Sequence, residues 1–402
     1  MDSITHIVVG ATTGYLIAGK KYGKKAMIWG ALAGSLPDID VVSAMWLNPA
    51  DRLLAHRGFT HSILYMLLIS PILAWLGVNY FKKDFQNKPG MRYFIASFLL
   101  VIATVTGFLI NILLYSFDGL WLLLSLPFSV WAGIKFLKLF KEYVFRPDEH
   151  IQVDFKTLWL VFFISLCTHL FLDSCTTYGT GLFEPFSTYR VAINNISVAD
   201  IFFTIPAAII LVLTCLLPKS FMYAKINVAW MGLYFVMTFF NYANMNAVFT
   251  KSLDNQHFQV KKKMISPSIL NNFLWYTIAE TDTAFVSGQY SVFDKADEVG
   301  KFLVMPKSYQ LMPAGDESKD VATLRRFSKG YFNLCTNGQG DLQWNDLRFG
   351  IMGDTIQNAG DYVFKLKLKP DATGLKAHAS REMNKSIVEI WPVYWQRVFG
   401  IK

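Results

Sequence analysis

Long apolar segments recur five times in the first 250 residues, and they constrain the fold more than any other feature of the chain. They lie at about 93–115, 118–137, 157–173, 198–217 and 226–248. A hydrocarbon core about 30 Å thick is crossed by about 20 apolar residues in a helix. Three further segments, at about 4–19, 26–44 and 60–77, contain more small and polar residues. The sequence therefore predicts a polytopic α-helical membrane domain of about eight helices over residues 1–248.

The basic residues of the chain follow a pattern typical of membrane topology. Hydrophobic residues make up 53% of the 402 positions, which is high for a soluble protein, and the net charge is +9. The basic residues form clusters after alternate apolar segments, namely Lys20, Lys21, Lys24 and Lys25, then Lys82, Lys83, Lys88 and Arg92, then Lys135, Lys138, Lys141 and Arg146, and finally Lys219 and Lys225. The positive-inside rule makes these loops cytoplasmic. We therefore expect a multi-pass protein of the bacterial cytoplasmic (inner) membrane, contacting membrane lipids and no nucleic acid, with both termini outside.

The character of the sequence changes after about residue 249. Hydropathy falls, and short alternating runs such as FVSGQYSVF and YVFKLKLK are typical of β-strands. The segment LCTNGQGDLQWNDL resembles a hairpin whose turn uses Asn337, Gly338 and Gly340, residues that accept a positive φ. The sequence thus predicts a smaller β-rich extramembrane domain at 249–402, on the extracytoplasmic side.

Four short motifs in the helical part carry four of the seven histidines and several acids. They are DSITH, LPDID, HRGFTHS and HLFLD. In a helix, residues four apart share a face, so His169 and Asp173 can offer two ligands to one ion. In the predicted topology all four motifs lie at outer helix ends. We therefore predict a metal site built from His6, Asp38, Asp40, His56, His61, His169 and Asp173.

Imidazole and carboxylate ligands together suit zinc, with manganese or iron as alternatives, and this many ligands could hold one or two ions. Such a divalent ion lowers the pKa of bound water and polarises a phosphoryl or carbonyl oxygen, so hydrolysis is the expected reaction. Asp40 is the candidate general base or bridging ligand. Arg57 either binds a substrate phosphate or fixes its loop through a carboxylate. Arg190 could also approach the site.

The four motifs, in this order, resemble the YdjM-like family of inner-membrane-associated, metal-dependent hydrolases described as LexA-binding. The resemblance covers roughly residues 1–180, and later stretches such as PSILNNFLW are similar to longer bacterial members. It implies a metal-ligand role for a set of six residues, His6, Asp38, His56, His61, His169 and Asp173. A looser likeness to zinc-dependent phospholipase C proteins suggests phosphoester substrates by analogy.

The leading hypothesis is a membrane-bound hydrolase acting on a phosphoester or lipid-linked substrate at the outer face of the cytoplasmic membrane. The competing hypothesis is a non-catalytic protein in which the metal locks the helix ends and the β domain binds a partner. A transporter would need charged residues along a path through the bilayer, whereas these residues gather at one face.

Overall fold

The structure is a computed structural model. It describes residues 1–94, 152–313, 318–353, 355–372, 374–380 and 387–401, with isolated positions elsewhere. The predicted helices at about 93–115 and 118–137 therefore lie almost entirely outside the described residues. The chain divides into two compact units, Met1–Ser70 with Leu160–Lys402, and Pro71–Trp159. All the motif residues belong to the first unit.

The N-terminal part of the described chain is helical. Its helices are α1 (Ser3–Tyr22), α2 (Lys25–Ser35), α3 (Asp40–Ala44), α4 (Pro49–Ala55), α5 (Ile63–Lys82), α6 (Phe155–Ser174), α7 (Ile201–Leu216) and α8 (Ser220–Asn255). Short 3-10 turns at Pro37–Ile39 and Phe59–His61 precede α3 and α5. These two turns carry acids and a histidine of the motifs, so the local chain reversals decide where those side chains point.

Glycines bring α1 and α2 into backbone contact. A Cβ added to Gly10 would lie 2.3 Å from the Gly30 carbonyl oxygen, and one added to Gly34 would lie 2.6 Å from the His6 carbonyl oxygen. A Cβ added to Gly14 would meet the Ala26 carbonyl oxygen at 2.3 Å. Only glycine permits such an approach, as in the small-residue interfaces of membrane helices. The close packing holds the end of α2 beside the start of α1.

The prediction of about eight membrane helices is wrong. Among the described residues, two helices are long and apolar enough to cross a bilayer, α5 and α6. At about 1.5 Å per residue, the 11 residues of α2 and the 16 residues of α7 fall short of a core about 30 Å thick. In α8, buried Asn227 donates hydrogen bonds to Thr12 Oγ1 and the Ala207 carbonyl oxygen, so this helix packs partly through polar contacts. A long apolar segment in this sequence therefore does not always form a helix of spanning length.

The C-terminal part contains two antiparallel four-stranded sheets. The first has the order β1 (Lys262–Pro267), β2 (Leu274–Glu280), β3 (Ala284–Ser291) and β4 (Leu303–Pro306). After α9 (Lys319–Phe327), the second has the order β5 (Phe332–Thr336), β6 (Leu342–Asp346), β7 (Lys365–Asp371) and β8 (Gly374–Ala379). A last helix, α10, covers Ile387–Val398. The β-rich character of this part is confirmed, whereas the domain boundary at 248/249 stays a prediction.

The predicted hairpin at 334–347 is confirmed. Strands β5 and β6 pair in register, with Leu334 opposite Trp344. Asn337 Oδ1 accepts hydrogen bonds from the backbone of Gln339 and Asp341, and Gly340 adopts a φ of +85°. Of the three predicted turn residues, Gly340 is the one at positive φ, whereas Asn337 contributes through its side chain.

Candidate metal centre

Four predicted ligands converge on one small volume. His61 Nε2 lies 3.2 Å from Asp173 Oδ2 and 3.5 Å from Asp38 Oδ1. His169 Nε2 lies 3.3 Å from Asp173 Oδ2 and 3.8 Å from Asp38 Oδ1. A tetrahedral ion with bonds of about 2.0–2.2 Å separates its ligands by roughly 3.3–3.6 Å. The four residues, with one ligand atom each and all within 4.8 Å of one another, could hold a metal ion.

Three of the four converging atoms are buried and lack a hydrogen bond to any described residue. The side chains of His61, His169 and Asp173 are fully buried, and that of Asp38 is 14% exposed. Within the described part of the chain, His61 Nε2, His169 Nε2 and Asp173 Oδ2 have no hydrogen-bond partner. Burying an unpaired polar atom is costly, and burying three at one point is unusual. A bound cation would satisfy all three, so the residues present fit an ion.

Outer contacts orient both imidazoles toward that point. His169 Nδ1 lies 2.6 Å from the Gly34 carbonyl oxygen, which only accepts, so Nδ1 carries the proton and the Nε2 lone pair faces the centre. His61 Nδ1 lies 3.2 Å from Asp40 Oδ2 and 3.0 Å from Thr60 Oγ1. A carbonyl or carboxylate behind each ligand histidine is typical of metal sites.

The electrostatics of the centre favour a positive charge between its carboxylates. Burial would lower the pKa of His61, but its contacts with Asp173, Asp38 and Asp40 outweigh burial and raise the pKa to about 10. Burial would raise the pKa of Asp38, yet the neighbouring imidazoles of His61, His169 and His6 lower it to about 2. The carboxylates therefore favour a positive charge at this position, and a divalent cation would supply it.

Asp40 and His56 lie beside the four converging residues and pair with each other. Asp40 Oδ1 lies 2.8 Å from His56 Nδ1, and Asp40 Oδ2 accepts hydrogen bonds from the Arg57 backbone and Thr60 Oγ1, both at 2.9 Å. Burial would raise the pKa of Asp40, but the contacts with His56 and His61 hold it well below its ordinary range. The His56 side chain is 24% exposed. The predicted ligand roles of Asp40 and His56 stay predictions.

His6 and Arg57 contact the other oxygen of Asp173. His6 Nε2 lies 3.1 Å and Arg57 Nη2 3.2 Å from Asp173 Oδ1, and the Met1 amino group donates to the same oxygen. The His6 ring stacks on that of His169 with centroids 3.7 Å apart. Arg57 Nη1 also donates to Thr176 Oγ1 at 2.6 Å. Both buried side chains therefore hold Asp173 in place, while Asp173 Oδ2 faces the centre.

Arg190 fixes the loop that carries His56 and Arg57. Its guanidinium donates to the carbonyl oxygens of Leu54, His56 and Arg57 at 2.8–3.2 Å. The backbone of Arg57 has a φ of 59°, which is uncommon for a residue other than glycine or asparagine. Sequence reasoning placed Arg190 near the site, but it missed the carbonyl of Gly34 and the hydroxyl of Thr176. A backbone carbonyl and a single threonine hydroxyl belong to no recognisable sequence motif, so no pattern in the sequence indicates them.

Asp40 provides a test of this outer support. We expect Asp40→Asn to weaken metal affinity by roughly 10–100-fold, because the amide loses one acceptor beside His61, whereas the four converging residues remain. The measurement is metal affinity of the purified chain by competition with a chelating dye. Asp371→Asn, at an exposed carboxylate of β7, is the matched control. Equal affinities for the two variants would contradict the orienting role.

Comparison with known proteins agrees with the resemblance seen in the motifs. The family model described as YdjM inner membrane protein matches residues 1–245, which is more than half of the chain and includes every residue of the centre. The chain belongs to the YdjM inner membrane protein family. The match confirms the family resemblance, whereas the ligand roles that the resemblance implies for His6 and His56 stay predictions.

Two known proteins are similar to part of this YdjM family member. The uncharacterized protein YfhP of Bacillus subtilis (strain 168) is 26% identical over 209 residues, covering 50% of this chain and 42% of the relative. The inner membrane protein YbcI of Escherichia coli (strain K12) is 28% identical over 79 residues, covering 20% of this chain and 46% of the relative. The chain spans less than half the length of either relative. No solved structure matches.

Proposed function

We propose that this YdjM family member is a metal-dependent hydrolase acting on a phosphoester or lipid-linked substrate. The observation that carries the proposal is the set of three buried, unpaired donor atoms, on His61, His169 and Asp173, that point at one position. Asp38 completes the set and reaches the surface. A buried centre with one exposed edge suits a site that holds an ion and admits a reactant.

The donor set supports a single ion. Two imidazole nitrogens and two carboxylate oxygens suit zinc, with manganese or iron as alternatives. A second ion bridged by Asp173 would need Oδ1, but Arg57 and His6 already contact that oxygen. Catalysis would require the ion to accept a fifth ligand besides these four, as zinc can, and it would then polarise the scissile group and ease deprotonation of water.

The pair formed by Asp40 and His56 supplies a base next to the centre. A proton on His56 Nδ1 satisfies Asp40 Oδ1 and leaves the Nε2 lone pair of this half-buried imidazole to accept a proton. Asp40, bonded to several donors, acts here as a positioning residue. Arg57 has the same kind of role through Asp173, since its guanidinium is buried and bonded within the protein.

We place the centre at the outer face of the membrane. Helix α5, which is long and apolar enough to cross the membrane, begins two residues after His61 and ends at Lys82, with Lys83 next in the sequence. Basic helix ends favour the cytoplasmic side, so the start of α5, with the centre, would face outward.

A non-catalytic metal-stabilised protein is the second candidate, and one observation favours it. The four converging residues come from the turn after α2, the turn before α5 and the end of α6. An ion joining them would cross-link three segments that are distant in sequence. In this reading the C-terminal sheets would bind a partner, and the ion would contribute stability alone.

Turnover measurements separate the two candidates. Purified wild-type chain would be assayed with p-nitrophenyl phosphate, a short-chain phosphatidic acid and a polyprenyl diphosphate, beside His56→Gln. We expect metal-dependent turnover of at least one substrate by the wild type. His56→Gln should keep its metal and lose roughly 10²–10⁴-fold in kcat, the usual contribution of a general base. Bound metal without turnover across the panel would favour the non-catalytic candidate.

A further inference from the structure

The segment 39–47, here called the rim segment, presents an apolar surface immediately beside the metal centre. Its sequence is IDVVSAMWL, and its only charged residue, Asp40, is turned inward and buried. Trp46 is 81% exposed. The other exposed apolar side chains of the rim segment are Ile39, Val41, Val42, Met45 and Leu47. A contiguous run of this kind marks an interaction surface.

The backbone of the rim segment is prepared for an apolar environment. Arg52 donates from Nε to the Ala44 carbonyl oxygen at 3.1 Å, and from Nη2 to those of Met45 and Leu47 at 3.1 and 3.2 Å. The Ala44 carbonyl also accepts a hydrogen bond from the Leu47 backbone, whereas those of Met45 and Leu47 lie beyond the end of α3, where no helical partner is available. In water the solvent satisfies such carbonyls, whereas in lipid an unsatisfied carbonyl is costly. The Arg52 guanidinium removes that cost at two positions.

Exposed apolar side chains also lie at the start of α5, the helix after His61 that is long and apolar enough to cross the membrane. Helix α5 begins two residues after His61, and its residues Ile63 and Leu67 are exposed. Phe59, two residues before His61, is also exposed and packs against Tyr65 with ring centroids 5.9 Å apart. The rim segment and the start of α5 therefore offer apolar side chains on both sequence flanks of the centre.

The rim segment also adjoins the one exposed edge of the centre. Ile39, an exposed apolar residue, lies in the sequence between Asp38 and Asp40. Asp38 is one of the four converging residues, and Asp40 contacts His61 Nδ1. Asp38 is the most exposed of the four converging residues. A molecule reaching the centre past Asp38 would thus pass the rim segment.

We propose that the rim segment inserts into a leaflet of the bilayer, so that the opening beside Asp38 lies at the depth of the lipid headgroups. Tryptophan is the residue most characteristic of that depth. The substrate would then keep its tails in the membrane while its headgroup reaches the centre. This last statement about the substrate rests on the proposed hydrolase function, whereas the insertion of the rim segment does not.

Photo-cross-linking in lipid nanodiscs tests the insertion directly. The full chain would carry the photoreactive residue p-benzoylphenylalanine at Trp46 or, as a matched control, at Val304, an exposed apolar residue of β4. We expect the Trp46 variant to cross-link phospholipid at least tenfold more than the Val304 variant, as measured by mass spectrometry. Because Trp46 is almost fully exposed, this replacement leaves the core intact, and retained metal content checks the fold.

Two outcomes would overturn the proposal. A cross-link from position 46 to a second copy of the chain would make the rim segment a protein interface, and equal labelling at positions 46 and 304 would remove the bilayer contact. For the substrate, Trp46→Asp should raise KM at least tenfold for phosphatidic acid and leave KM for p-nitrophenyl phosphate unchanged. Lipid cross-linking without turnover would retain the insertion and reject the hydrolase, so the two failures are distinguishable.

Discussion

Replacing His61 with alanine should remove the bound metal from the purified chain. The imidazole lies 3.2 Å from Asp173 Oδ2 and 3.5 Å from Asp38 Oδ1, so its loss leaves these two carboxylates with His169 as the one nitrogen ligand among the converging residues. Loss of an outer partner costs roughly 10–100-fold in metal affinity, and loss of a ligand should exceed that range. Metal affinity by competition with a chelating dye is the measurement.

The control for His61→Ala is a histidine that the structure places elsewhere. His378 is exposed in β8, opposite Lys367 of β7, and His378→Ala should keep full metal affinity. Since His61 is buried, the circular dichroism and elution volume of both variants would be compared with the wild type. Unchanged metal affinity in a folded His61→Ala variant would contradict the assignment of the centre.

Replacing Gly30 with alanine should have the largest effect on stability among single methyl additions. A Cβ at this position would lie 2.1 Å from the Gly10 carbonyl oxygen and 2.9 Å from Gly14 Cα, and neither is a side chain that can rotate away. Overpacking a tight core costs about 1–3 kcal/mol, and a backbone clash lies at the upper end or beyond. We expect unfolding at clearly lower denaturant concentration, together with weaker metal binding, because Gly34 and His6 share this interface.

A helical glycine in an open position is the matched control. Gly232 lies in α8, and no heavy atom falls within 4 Å of a Cβ added there. Gly232→Ala should therefore be neutral or stabilise the chain by about 0.5–1 kcal/mol, the helix preference of alanine over glycine. Denaturation of both variants in the same detergent gives the comparison. Similar stabilities for the Gly30 and Gly232 variants would contradict the close contact of α1 with α2.

The contact of α1 with α2 can be read from the sequence more directly than the number of membrane helices. Glycines spaced four apart, such as Gly10 and Gly14, indicate close helix packing directly, because a residue without a side chain lets two helix backbones approach. Spanning a membrane depends on where helices end. Helix α2 stops at Ser35, two residues before Pro37, and its short length is set by that proline and the following turn.

For the centre, the spacing of residues within a helical motif can be read from the sequence, whereas the conformation of the loop that carries His56 and His61 cannot. His169 and Asp173 converge because they are four apart in a helix, which the sequence shows. His56 and His61 lie in a single motif, yet of the two only His61 is one of the four converging residues. The turn between them has Arg57 at positive φ and is held by Arg190, 133 positions further along the chain. A long-range contact of this kind decides which imidazole faces the centre, and local spacing does not contain it.

The most direct test of the central claim is the metal content of the chain purified in detergent without added chelator. Plasma mass spectrometry, normalised to protein by amino-acid analysis, should give one transition-metal ion per chain, and X-ray absorption should show imidazole nitrogen and carboxylate oxygen ligands at about 2.0–2.2 Å. The Asp173→Asn variant should retain less than a tenth of that metal. A wild-type chain that stays metal-free after incubation with zinc, manganese and iron would contradict the account.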